Sequence, residues 1–238
     1  MDIYMKFISS LIIVLVLAYA IKKKGFLDNC GILCSSAMAF IILMGTNLNW
    51  LIIMVCFLVF GSLVSKVGYS KKNCMGMGEC KRTIKNVLAN GALAVLIVLL
   101  YIFGIIDYNI ALFGYIGSIS AATSDTFSSE LGVLSNETPR LITTLEKVEK
   151  GTDGGVSIYG TFAGIVGAFL IGLISSILFN NYNLIWIGTI SGIVGNLSDS
   201  LFGALLERRG IFNNEHVNFT CTLMGSLCAI MLYLTVIH

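Results

Sequence analysis

Eight apolar runs divide the chain: Ile3–Ile21, Gly31–Gly45, Leu48–Val64, Ile84–Gly104, Ile110–Ala122, Val156–Phe179, Leu184–Phe202 and Val217–Ile237. A helix crosses a hydrocarbon core with about 20 mostly apolar residues. Each run therefore reads as a membrane span. The second and fifth are short, and need flanking residues or tilt to cross. The pattern predicts an all-α, polytopic membrane helical bundle of about eight spans. Six is the fallback, because losing two neighbouring spans would leave the alternation of loops intact. The two longest polar segments, Ser65–Arg82 and Ser124–Gly154, lie between spans. No boundary divides the chain, so residues 1–238 read as a single integral membrane domain.

Composition narrows the class. The chain is 56% hydrophobic and 12% charged, with mean hydropathy +0.89. Soluble domains carry about 25% charged residues. A soluble enzyme and a disordered chain are both excluded. One proline and 25 glycines favour close-packed helices over a β-barrel. No basic tract with interleaved aromatics is present, so nucleic acid is not an expected partner. Seven cysteines, including the isolated Cys74 and Cys80, read as reduced and form no zinc site. Oligomeric state leaves no signature.

Charge orients the spans. Lys22–Lys24 follow the first run. Lys66, Lys71, Lys72, Lys81, Arg82 and Lys85 fall in or at the edge of the third loop. Arg140, Lys147 and Lys150 are in the fifth, and Arg208 and Arg209 in the seventh. The intervening loops carry no base. Fourteen of the fifteen basic residues thus lie on one side, leaving Lys6 on the other. The positive-inside rule makes those loops cytosolic and both termini external. The first run also resembles a signal peptide, with Lys6 before it and Ala18-Tyr19-Ala20 at its end. The three lysines directly after it predict that it is retained.

Polar residues in the spans form stripes. Asn196, Asp199, Ser200, Gly203 and Glu207 share one helix face. Gly114, Ser118, Ala121, Asp125 and Ser129 share another. Arg82, Asn86 and Asn90 repeat every four residues, and Asn214, Asn218, Cys221 and Gly225 line up likewise. Gly160, Gly164, Gly167 and Gly172 read as a packing face. A carboxylate inside a span costs about 2.5–3.5 kcal/mol on insertion scales and is usually functional. The strongly polar members sit toward the cytosolic ends, which predicts a polar pocket there.

Asp125, Glu130, Asp153 and Asp199 are oxygen donors near one membrane face, as magnesium prefers. Asp125 and Glu130 are five apart, about 140° around an ideal helix. Either the helix breaks near Ser124–Ser129 or Glu130 has another partner. Gly151-Thr152-Asp153-Gly154-Gly155, with Ser157, leads into a helix N-terminus, an arrangement that offers N–H groups to phosphate. Arg140, Lys147 and Lys150 lie near it in sequence. No P-loop is present. A Ser-His-Asp set is implausible, because the histidines are only His216 and His238.

Several motifs together resemble a known family. They are Ala122-Thr-Ser-Asp-Thr-Phe-Ser-Ser-Glu-Leu-Gly132, Pro139-Arg-Leu-Ile-Thr-Thr144, Gly151-Thr-Asp-Gly-Gly-Val-Ser157 with Gly160, Lys66–Lys72, Asn86–Gly91, Gly195–Gly203, and Asn213-Asn214 with Val217-Asn218. They are similar to those of the transmembrane protein 19 family (domain of unknown function 92), over about residues 63–219. That family includes the CTP-dependent phytyl-phosphate kinase of vitamin E salvage. The resemblance implies transfer of phosphate from CTP to a prenyl monophosphate at the cytosolic membrane face. Magnesium would be held by Asp125, Glu130, Asp153 and Asp199. Phosphate groups would meet Lys66, Lys71, Arg82, Arg140, Lys147 and the Gly151–Ser157 segment, with Arg140 or the Lys66–Lys72 loop receiving the prenyl phosphate. Asn86, Asn90, Asn196, Ser200, Asn214 and Asn218 complete the polar pocket, and membrane lipids surround it. Two alternatives stand beside this expectation. Asn196-Leu-Ser-Asp-Ser200 has a likeness to the signature of CTP:lipid-phosphate cytidylyltransferases, and intramembrane polar residues with glycine-rich helices also suit a transporter.

Overall fold

The computed structural model describes residues 3–76 and 81–237. Cys80 and His238, named above, lie outside them. Every apolar run is a helix: α1 (Ile3–Lys24), α2 (Asn29–Gly45), α3 (Leu48–Lys66), α5 (Ile84–Ile102), α6 (Tyr108–Gly132), α7 (Ile158–Phe179), α8 (Asn183–Phe202) and α9 (Asn214–Leu232). A short α4 (Tyr69–Cys74) follows α3. π-turns continue α8 through Gly203–Glu207 and α9 through Tyr233–Ile237. The only strands among the described residues, β1 (Arg140–Leu141) and β2 (Gly155–Val156), pair antiparallel between α6 and α7. Val156, placed in the sixth apolar run, is therefore in β2, and α7 begins after it.

Helix starts follow from short polar side chains that take up orphan N–H groups. Asp28, Asn47, Asp107 and Ser157 accept from Gly31, Asn49, Asn109 with Ile110, and Gly160. Asn213 and His216 cap α9 reciprocally. His216 is thus a capping residue.

Among the described residues six helices are long and apolar enough to cross a membrane: α1, α3, α5, α7, α8 and α9 with their π-turns. The two runs marked as short behave differently. The second gains Asn29 and Cys30 from its flank but reaches only 17 residues as α2. The fifth extends at both ends into the 25-residue α6, about 37 Å at 1.5 Å per residue. Length is not what keeps α6 out of the six. It is the hub, packed by α3, α5, α7, α8 and α9, and nearly every residue from Ala111 to Phe127 is buried. A helix sheathed by protein can be small and polar; a helix facing lipid must be apolar on the side that lipid touches. The outer helices meet that demand, with Leu15, Ile158, Phe162 and Ile177 exposed.

Glycines allow the hub to close. A Cβ on Gly195 would collide with Ala121, and one on Gly225 would lie 2.5 Å from it. Gly164 sits over Ser124 and Asn196, and Gly172 over the α8 backbone. The α7 glycines are a packing face, as their spacing suggested.

The bundle has two unlike ends. At one, Trp50, Tyr101, Tyr108, Tyr115 and Phe179 form an aromatic cluster, and the Tyr115 hydroxyl donates to Trp50 O at 2.8 Å. Lys6 joins that half, donating to Met44 O. At the other end the basic loops meet. Lys66 reaches Lys24 O, Arg82 pairs its backbone with Phe26 and Asp28, and Lys71 donates to Leu134 O. The basic loops therefore share one end of the bundle.

Candidate functional site

Between the loops of that end lies a cavity of about 320 Å³. The α6–α8 contact builds its floor. Asp125 is one turn beyond Ala121 and Asp199 one turn beyond Gly195, so the close approach of Ala121 and Gly195 turns both carboxyls toward each other. They come within hydrogen-bonding reach. Asp199 Oδ1 is buried and has no protein partner. Asn196 supports the same face, buried beside Gly164 and Ser124.

Asp153 arrives from the glycine loop. Gly154 has φ +76°, a conformation that suits glycine, and a Cβ there would be 2.5–2.7 Å from Ala204. Its N–H group lies against Gly203. The two glycines therefore seat the 151–155 loop on the π-turn that ends α8. The same turn directs Glu207. In a regular α-helix, position i+8 drifts about 80° from i. The wider turn closed by the Arg208 N–H to Gly203 O bond of 3.2 Å holds back that drift, so Glu207 lines the cavity with Asp199.

Cations line the same cavity. Arg82 lies with its guanidinium carbon 5.2 Å from the Phe57 ring centroid, and its Nη2 is 3.4 Å from Thr126 Oγ1. It passes over Gly61, where a Cβ would be 2.5 Å from Nη2. Lys66, over the Phe26 ring, and Lys81 line it too. Lys150 reaches in from the loop, donating to the carbonyls of Val133 and Ser135. Asn86 and Asn90 of α5, Asn214 and Asn218 of α9, Ser200, and Gly151, Thr152, Gly155 and Ser157 complete the lining.

Glu130 has the other partner that its spacing from Asp125 allowed for. Helix α6 runs unbroken past it. Its carboxylate takes Lys72 Nζ at 2.6 Å and the Ser65 hydroxyl at 2.6 Å. Lys72 is 1% exposed and also donates to Val64 O and Ser65 O. Glu130 thus lines the rim of the cavity while holding α4 to α6. Three expected phosphate contacts stand outside the cavity. Arg140 is in β1, donating to Leu145 O; Lys71 holds Leu134 O; Lys147 lines an adjoining shallow hollow with Glu137 and Arg208, which shares Pro139, Lys150 and Thr152 with the cavity. Sequence proximity to the glycine loop suggested Arg140 and Lys147, but the β1–β2 turn carries them to its outer side. Lys150, named beside the glycine loop, does line the cavity, and Glu207, Lys81, Ser62 and Thr126 line it without being among the expected site groups. Glu207 had a signal, being on the Asp199 stripe; Ser62 and Thr126 had none.

Among the described residues, no three of His, Cys, Asp and Glu form a ready-made metal cage. The donor set nevertheless suits magnesium, which commonly takes one or two carboxylates plus substrate phosphates and waters. Asp199 Oδ1 is a buried carboxyl oxygen that no protein donor satisfies. All six described cysteines are free thiols.

A polar hub sheathed in lipid-facing helices, with a charged cavity at one end, defines a polytopic helical membrane protein with a site at its surface. The chain belongs to the family described as integral membrane protein DUF92, whose profile matches residues 12–226. It is 53% identical over 235 residues to an uncharacterized membrane protein of Methanocaldococcus jannaschii, covering 99% of this chain and 98% of that one. An uncharacterized membrane protein of Synechocystis is 33% identical over 192 residues, 76% of this chain and 72% of its own. Protein VTE6, chloroplastic, of Arabidopsis thaliana is 26% identical over 217 residues, 84% of this chain and 65% of its own. No solved structure matches significantly.

Proposed function

We propose that the protein is a CTP-dependent polyprenyl monophosphate kinase, of phytyl or geranylgeranyl type, working at the cytosolic membrane face. The observation that carries this reading is that one cavity is lined both by carboxyls, Asp125 with Asp199, and by cations, Arg82 with Lys66 and Lys81. Phosphoryl transfer consists mainly of positioning and charge neutralisation. Such a cavity suits both needs, and the membrane supplies the lipid. The family resemblance, and within it the likeness to VTE6, supports the isoprenoid substrate and CTP.

In this reaction an oxygen of the prenyl monophosphate attacks the γ-phosphorus of CTP. A new P–O bond forms, the bond from the γ-phosphorus to the β–γ bridging oxygen breaks, and CDP leaves with the electron pair. No residue need become covalently attached. Asp125 and Asp199 would hold magnesium, with Asp153 reaching it through water, and the ion when bound neutralises triphosphate charge. Arg82, Lys66 and Lys81 orient phosphate oxygens. The N–H groups of Thr152 and Gly155 are taken by Glu149 O and Thr152 O, which fixes the loop; those of Gly151 and Asp153 would add donors that need no reorganisation. The outer helices and the 133–155 loop limit water, and so favour transfer over hydrolysis.

The test is product analysis with purified full-length protein, geranylgeranyl monophosphate and CTP labelled at the γ-phosphate. Label in the prenyl diphosphate, with CDP released, is the expected result. Labelled pyrophosphate would make the protein a cytidylyltransferase. No CTP consumption, with prenyl-independent solute flux in proteoliposomes, would make it a transporter.

A further inference from the structure

A second, apolar slot lies between α1, α2, α3 and α5, and it ends on two residues of the polar cavity, Arg82 and Asn86. From Val14 to Ile21 it runs about 10 Å along α1 at 1.5 Å per residue. Met38 and Met54 form adaptable walls. Gly91 keeps it open: a Cβ there would be 3.3 Å from Met38 Sδ. Its enclosed volume is about 60 Å³. At about 12 Å³ of such space per water-sized group, that holds about five heavy atoms in single file. Helix α1 packs on α2 and makes little contact with α3, so the slot opens sideways toward lipid.

Resting on the prenyl-phosphate reading above, we propose that this slot seats the isoprene unit nearest the phosphate of a prenyl monophosphate, with Arg82 receiving the phosphate and the rest of the tail leaving between α1 and α3. Three features select this occupant. The slot and the cavity share Arg82 and Asn86 as lining, and these are its polar end, so its ligand has one polar end. Arg82 is cationic, so that end is an anion, and its planar fork of donors matches phosphate. The lumen takes one chain, which excludes two-tailed phospholipids. Arg82, stacked over Phe57, stands where tail chemistry changes to head chemistry. A site built this way reads the first isoprene unit closely and the tail length weakly.

The full-length protein in nanodiscs, without CTP, is irradiated with a prenyl monophosphate carrying a diazirine on its first isoprene unit, and the labelled peptides are mapped. Saturable labelling is expected in residues 27–39 and 51–58. Geranylgeranyl monophosphate should displace it and dioleoyl phosphatidate should not. Ala39→Phe or Ser36→Phe, each facing the slot, should weaken it at least about tenfold, the cost of displacing two buried methylene groups. Whichever variant gives a monodisperse gel-filtration peak is scored. Labelling confined to α7–α9, equal displacement by phosphatidate, or labelling unaffected by the folded variant would overturn the slot. CTP turnover is measured on the same preparation. Labelled slot peptides without turnover would overturn the kinase reading and leave the slot. Turnover with label elsewhere would do the reverse.

Discussion

Asp199→Asn separates a group kept for function from one kept for stability. The carboxyl faces Asp125 within hydrogen-bonding reach, and its Oδ1 has no protein partner. Replacing it removes no hydrogen bond that Oδ1 makes within the protein. It replaces a second carboxyl beside Asp125 with an amide that can donate to it, and a hydrogen bond to a charged group is worth about 1.5–3 kcal/mol. That is an upper figure, because Arg82 offsets part of the Asp125 charge. A gain of about 1–2 kcal/mol remains, or about 2–8 °C at 2–4 °C per kcal/mol for a chain of this size. Catalysis should move the opposite way. Losing one strong electrostatic contact to the reacting phosphates costs about a hundredfold or more. The assay is a thermal melt in detergent with EDTA, beside magnesium-dependent conversion of CTP and prenyl phosphate. Glu149→Gln, on the exposed loop, is the control and should change neither. A fall in melting temperature for Asp199→Asn, or turnover near that of the parent, would refute the reasoning, as would full activity of the parent protein in EDTA.

Further outcomes follow from the same geometry. Arg82→Lys keeps the charge but loses the planar fork, and should lower turnover at least about tenfold; Arg140→Lys, outside the cavity, should not, and equal loss in both would return Arg140 to the site. Lys72→Met leaves Glu130 with Ser65 alone, and since Glu130 is 23% exposed the cost should be about 2–3 kcal/mol, below the usual figure for a broken buried pair. The double change Lys72→Met with Glu130→Leu should recover much of that melting temperature; no recovery would mean the pair is not what couples α4 to α6. Gly195→Val should separate α6 from α8 and abolish turnover, with protein that still inserts but melts lower; a variant with unchanged turnover would show that the Ala121 contact does not set the carboxylates. Cysteines at Ser70 and Asn136, in a background without Cys30, Cys74 and Cys80, should react with an impermeant thiol reagent in inside-out vesicles and not in intact cells; labelling of either from outside would reverse the orientation.

The alternation of apolar and polar segments was enough to locate all eight main helices, because burial in lipid imposes a composition that no other environment demands. The stripes were enough to name Asp125, Asp199, Asn86, Asn90 and Asn196, because a polar group in a span has to face protein or a cavity, and helical spacing tells which face it shares. What the sequence could not decide was which polar groups meet. Glu130 and Asp125 sit in one motif, five residues apart, yet Glu130 turns to Lys72 because α6 continues without a break. Arg140 adjoins the glycine loop in sequence and stands outside the cavity because a two-residue strand pair carries it to the outer side. Glu207 joins the carboxylates because Gly203–Glu207 closes as a π-turn. Arg82 marks the junction of cavity and slot because Gly61 leaves its guanidinium room. Each of these depends on the separation of two backbones, and that separation is set by contacts between residues far apart in the chain. Periodicity within one helix fixes the face a side chain takes; only packing against the other helices fixes what that face touches.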